Sequence, residues 1–167
     1  STTAQLALGD ALAIATMKYK KFGKLDFKKL HPAGSLGAQL RTVEDIMLTG
    51  DQVPFVNENM QMSKALKIIN EKKLGILIVT KNKKLKGIIS DGDIRKFSQK
   101  NLNFHSLPVK KIMTKKPVSI EKNELAAKAL SLMTSKKITS LCVHEKKNKL
   151  ITIGVVHIHN ILQSSVT

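Results

Sequence analysis

Residues Val43-Glu44-Asp45-Ile46-Met47 return 66 positions later as Val109-Lys110-Lys111-Ile112-Met113. A chain that repeats itself at such an interval must build two similar units, and each must cover a face the other leaves bare. The bodies of the copies match as well. Met62, Ala65, Leu66 and Ile69 make an i, i+3, i+4, i+7 stripe in the first, and Ala126, Ala129, Leu130 and Met133 repeat it in the second. That spacing predicts one amphipathic helix in each copy. Lys72-Lys73 and Lys136-Lys137 place cations at the helix ends, where the dipole favours them. Apolar, β-branched runs follow and read as strands: 76–79 and 141–143, then, beyond lysine-rich hairpins at 81–86 and 145–149, 87–89 and 154–156. A short helix at 93–97 and another at 160–162 close the copies. Each copy thus reads strand, helix, strand, strand, helix over about 55 residues, too small a core to stand alone, so the two are expected to pack together. Residues 100–108, polar and ending in Pro108, read as the connector between 42–105 and 106–167.

Residues 1–41 lie outside the repeat. Ala4 to Met17 reads as a helix with apolar residues almost all round, the pattern of a helix buried in a larger body. The segment opens Ser1-Thr2-Thr3 without an initiator Met, and the chain is read as a piece of a longer protein. That apolar stretch falls short of the roughly 20 residues a membrane span needs, and no charged leader with a cleavage site precedes it. Neither a membrane span nor a secretory signal is expected, and the location is read as cytoplasmic. A single cysteine, Cys142, sits in an apolar run, which excludes an internal disulfide and suits a small buried side chain.

The net charge of +17 invites a nucleic-acid reading, but its make-up argues against one. Of the 29 basic residues only Arg41 and Arg95 are arginines, although bidentate recognition of phosphate and base edges favours arginine. The excess is spread at +5, +4 and +8 over residues 1–41, 42–105 and 106–167. Aromatics make up 4%, with no Trp and only Tyr19, so a stacking platform for single strands is poorly supplied. The surface is read as lysine-rich and generally attractive to anions, with no nucleic-acid partner.

The most informative motif is Gly87-Ile88-Ile89-Ser90-Asp91-Gly92-Asp93, a strand that ends on a hydroxyl and turns into a helix led by carboxylates. Ser90 and the helix N-terminal amides can donate to a phosphate, and Asp93 can accept from both hydroxyls of a ribose. The same residues also suit helix capping, the commoner use of Ser and Asp at such a turn. In the second copy the motif becomes Gly154-Val155-Val156-His157-Ile158-His159-Asn160, with His for the hydroxyl and Asn for the carboxylate. His157 and His159 alternate as two metal ligands on one strand face would, but nothing in the sequence completes a set of three or four. No metal is expected. His157 is read as a titrating group near a phosphate, and His105 and His144 as surface residues.

The repeat, the Val-x-x-Ile-Met opening and the Gly-h-h-Ser-x-x-Asp ending (h apolar) together resemble a tandem pair of cystathionine-β-synthase (CBS) domains over about residues 42 to 165. The resemblance implies an α+β fold of two β-α-β-β-α modules packed through their sheets, with nucleotides bound in clefts between them. Carried over, it assigns Ser90 to phosphate and Asp93 to ribose. Val53, Pro54 and Phe55, with Pro117 and Val118 in the second copy, supply backbone and apolar contacts to a base. His157 and Asn160 stand at the corresponding place in the second cleft.

Residues 1–41 carry a second resemblance. Ser1-Thr2-Thr3-Ala4, Leu8-Gly9-Asp10-Ala11-Leu12-Ala13, and Asp26-Phe27 leading to His31-Pro32-Ala33-Gly34-Ser35-Leu36-Gly37 are similar to the end of the sugar isomerase (SIS) domain of arabinose-5-phosphate isomerases, where the usual form is His-Pro-Gly-Gly. That family interconverts ribulose 5-phosphate and arabinose 5-phosphate on the route to the lipopolysaccharide sugar Kdo, with an SIS domain followed by a CBS pair. It implies a helical SIS remnant at 1–41, a catalytic-site role for His31, and a nucleotide or nucleotide-sugar effector of the AMP, ATP or CMP-Kdo type, with no cofactor required. The parent SIS domain is a partner, and a homodimer or homotetramer is expected. Isomerisation needs a base, a ring-opening group and a phosphate cradle, so His31 alone cannot run it. These residues are expected to be catalytically silent. An active isomerase completed by another chain, and a basic nucleic-acid-binding module, remain the alternatives.

Overall fold

A computed structural model describes residues 1–23, 26–27, 30, 40–100 and 102–166. They fall into two compact units, Ser1–Arg41 and Thr42–Thr167. In the first, α1 spans Thr2–Tyr19, as a stretch rich in Ala and Leu favours. Its apolar pattern is that of a helix covered by a larger body, and every residue of α1 is exposed, Leu6 at 71% and Leu12 at 60%. No helix among the described residues is long and apolar enough to cross a membrane.

The second unit holds α2 (Val43–Ile46), β1 (Leu48–Thr49), β2 (Phe55–Asn57), α3 (Met62–Lys72), β3 (Ile76–Lys81), β4 (Lys84–Ser90) and α4 (Asp91–Ser98). The second copy follows with β5 (Thr114–Lys115), β6 (Ser119–Glu121), α5 (Ala126–Lys136), β7 (Ser140–Glu145), β8 (Asn148–His157) and α6 (Ile158–Val166). Two four-stranded sheets result, ordered β2-β3-β4-β5 and β1-β8-β7-β6. The fold is thus α+β, with two modules whose sheets face each other. On α3 the stripe buries Met62, Ala65 and Ile69; on α5 it buries Ala126, Ala129 and Met133.

The continuous apolar run of β3 serves two layers. Leu77 and Val79 pack toward α3, while Ile76 and Ile78 pack between the sheets with Val53, Cys142 and Val155. Strand alternation sends neighbours to opposite faces, so a strand covered on both sides needs apolar residues at every position. β7 repeats the arrangement, with Leu141 and Val143 toward α5 and Cys142 between the sheets.

The copies exchange their openings. β1 of the first pairs with β8 of the second, and β5 of the second with β4 of the first. Val43 is buried in the core of the second copy, its N–H donating to Glu124 O at 2.8 Å; Val109 is buried in that of the first, its N–H donating to Met60 O at 2.9 Å. Lys122 bridges the exchange to Glu44 at 3.0 Å and Glu145 at 3.5 Å, and its hydrogen bond to Glu44 holds the ammonium above its ordinary range. The motif glycines permit the approach. A Cβ on Gly154 would lie 2.6 Å from Leu48 O, and one on Gly87 would lie 2.7 Å from Thr114 O.

Two readings are corrected. The 100–108 connector is not simply polar, since Phe104, 3% exposed, anchors it in the first core. His144 is buried at 6% and not a surface residue, with register irregularities on both sides of it and its Nδ1 3.0 Å from Glu145 O.

Candidate functional site

Where β4 turns into α4, Ser90 and Asp93 form a capping box. Asp93 Oδ2 accepts from Ser90 N at 2.9 Å and from Ser90 Oγ at 2.7 Å, and Ser90 Oγ accepts from Asp93 N at 3.2 Å. Oδ1 accepts a longer bond from Thr114 Oγ1 at 3.3 Å. Capping is therefore a role these residues perform in the fold.

The cap also forms one wall of a cavity of about 350 Å³ between the modules. Ile76 and Ile88 continue that wall; Thr114, Lys116, Pro117 and Val118 come from the segment joining β5 to β6, and Lys137 to Ser140 from the turn between α5 and β7. The volume and the mixture of apolar walls with a few hydroxyls, one carboxylate and two ammonium groups are those of a small-molecule site. Ser90, Asp93, Pro117 and Val118 thus converge from positions up to 28 residues apart.

The remaining candidates lie elsewhere. Val53 is 4% exposed between the sheets, Pro54 is buried, and Phe55 is 38% exposed on β2. Their place by internal symmetry explains this: Pro54 O accepts from Ile78 N on β3 as Val118 O accepts from Cys142 N on β7. His157 lies in a second hollow with Lys73, Gly75, Asp91 and His159. In the second copy Asn160 repeats the cap of Asp93, its Oδ1 accepting from His157 N at 3.1 Å. His157 Nδ1 accepts from His159 N at 3.2 Å, and burial, helped by the nearby His159, pushes the His157 pKa below its ordinary value. Among the described residues no group of three or more His, Cys, Asp or Glu is placed to hold a metal ion. His31 and the residues after it to position 39 lie outside the described residues.

The two copies differ in chemistry at matching positions. The strand registers match Thr114 to Leu48, because Thr114 faces Ile88 as Leu48 faces Val155. Two residues further on, Lys116 at φ 55° matches Gly50 at φ 55°. A left-handed residue other than glycine costs about 1–2 kcal/mol, and here it sets an ammonium at the cavity rim. Lys137, φ 54°, does the same from the end of α5. The sequence motifs did not single out Thr114, Lys116, Lys137 or Ser140: at Thr114, Lys116 and Ser140 the copies differ, whereas Lys137 matches Lys73 and reads as a helix end.

The family model for the CBS domain matches residues 43–100 and 109–166. The chain belongs to the CBS-domain family. CBSX2 in complex with AMP superposes with a TM-score of 0.63 at 25% identity, over 75% of this chain and 96% of that one. The CBS domain of the bacterial CNNM/CorC family Mg²⁺ transporter in complex with ATP gives 0.65 at 16% identity, over 78% and 91%, a likeness of fold. Among curated relatives, arabinose 5-phosphate isomerase KdsD of Francisella tularensis is 40% identical over 98% of this chain, and KdsD of Escherichia coli K12 38% over 99%. In each case the chain spans 50% of the relative's length.

Proposed function

We propose that this CBS pair binds one nucleotide or nucleotide-sugar in the cavity lined by Ser90 and Asp93, as the regulatory module of an arabinose 5-phosphate isomerase. The observation that carries the reading is the convergence of Asp93, Lys116 and Lys137 on one apolar-walled hollow between the modules. Asp93 takes the ribose hydroxyls, and Pro117 and Val118 flank the base. The hydroxyl hydrogen of Ser90 is committed to Asp93 and reaches a phosphate only by leaving it, so Lys116 and Lys137 carry most of the phosphate's charge. The second hollow, where Lys73 is the one ammonium group among the described lining residues and Asp91 stands with it, has less to offer an anion. Support also comes from the AMP held by CBSX2 and from the similarity to KdsD across nearly the whole chain.

AMP, ATP and CMP-Kdo all carry the ribose and phosphate this chemistry recognises. In the full-length protein, ligand binding between the modules would couple to the SIS domain, typically by 1–3 kcal/mol. The 167 residues themselves are read as catalytically silent, and the module as self-associating into a homodimer or homotetramer. Calorimetry with AMP, ATP, CMP and CMP-Kdo is expected to give one site per chain with modest salt dependence. Absence of heat with all four, or binding only to polynucleotides with affinity falling steeply in salt, would overturn the reading. Sustained conversion of arabinose 5-phosphate to ribulose 5-phosphate by this chain would overturn its silence.

A further inference from the structure

Ser140, the first residue of β7, is 6% exposed and lines the cavity, and its Oγ has no hydrogen-bond partner among the described residues. Strand alternation puts its side chain on the face of Cys142, between the sheets, and away from the core that holds Leu141 and Val143. The matching residue of the first copy is Ile76, which lines the same cavity. An apolar side chain therefore suits this place, and packing does not require a hydroxyl there. An unpaired buried hydroxyl forfeits its bonds to water and gains nothing in return until a partner arrives.

Position decides which part of a ligand that partner is. Lys116 and Lys137 are exposed at the rim and Asp93 lies on the wall, whereas Ser140 is buried. With phosphate at the cations and ribose at the carboxylate, the base is the part that reaches inward. We infer that Ser140 Oγ hydrogen-bonds a polar atom on the edge of the base and so selects among nucleotides. A turn about χ1 between staggered wells brings the oxygen to the ligand, and a hydroxyl can donate or accept there.

The inference rests on the proposed nucleotide site. Affinities for AMP and CMP are measured by calorimetry on the wild type, Ser140→Ala and Ser140→Thr, with thermal unfolding of each without ligand. The wild type should prefer one base. Ser140→Ala should weaken the preferred nucleotide about tenfold and the other by much less, Ser140→Thr should restore the preference, and ligand-free Ser140→Ala should be no less stable than wild type. Wild-type binding without preference, an equal or absent loss in Ser140→Ala, or a marked drop in its ligand-free stability would overturn the inference and leave the nucleotide site standing. Failure of the wild type to bind any nucleotide removes both.

Discussion

Asp93→Asn separates the two roles that the structure gives one carboxylate. About four lone-pair sites are available on Asp93. Ser90 N and Ser90 Oγ occupy two on Oδ2, and the 3.3 Å bond from Thr114 occupies a third on Oδ1. A ribose thus finds one free site, and a second if it displaces Thr114. Asparagine can keep the cap, as Asn160 shows in the second copy by accepting from His157 N at 3.1 Å. The fold then loses only the charge at the helix start, about 1 kcal/mol at most, or about 4 °C in melting temperature. The ligand loses more. One or two bonds fall from the charged range of about 1.5–3 kcal/mol to the neutral range of about 0.5–1.5, weakening Kd by roughly 5- to 150-fold. Calorimetry with the tightest nucleotide, alongside thermal unfolding, reads both numbers. Binding within twofold of wild type would refute the ribose assignment and leave Asp93 as a cap alone.

Gly154→Ala sets a Cβ 2.6 Å from the Leu48 carbonyl and should cost about 1–3 kcal/mol, visible as a melting point several degrees lower; an unchanged melting point would mean that β1 does not lie on β8. Burial lowers the pKa of His157, so below about pH 6.5 the unfolded chain takes up a proton that the folded chain refuses, and stability drops as the pH is lowered. Urea midpoints at pH 7.5 and 5.0 should therefore differ less in His157→Gln than in wild type. Burial pushes the Cys142 thiol up to about 12, against a weaker opposing hydrogen bond to Thr152. The native thiol should resist a disulfide reagent at pH 8 and react once unfolded, and stability should decline above about pH 9, where only the unfolded chain ionises. Native labelling as fast as denatured labelling would contradict that burial.

The sequence by itself determined the local pieces of this protein: the duplicated modules, the buried faces of α3 and α5, the core strands, and the Ser90–Asp93 turn. Each depends on spacing within a few residues, where helical and strand periods and capping geometry act. Only the tertiary structure decided that β1 and β5 change places, because two-residue strands carry no period and their pairing is settled by what their partner sheets leave open. The same holds for the cavity. Lys116, Lys137 and Ser140 carry no local signature, and they meet Asp93 because the exchange of strands draws the β5–β6 segment and the α5–β7 turn over the end of β4. Val53, likewise, is placed by tertiary packing, which buries it between the two sheets with Ile76, Ile78, Cys142 and Val155.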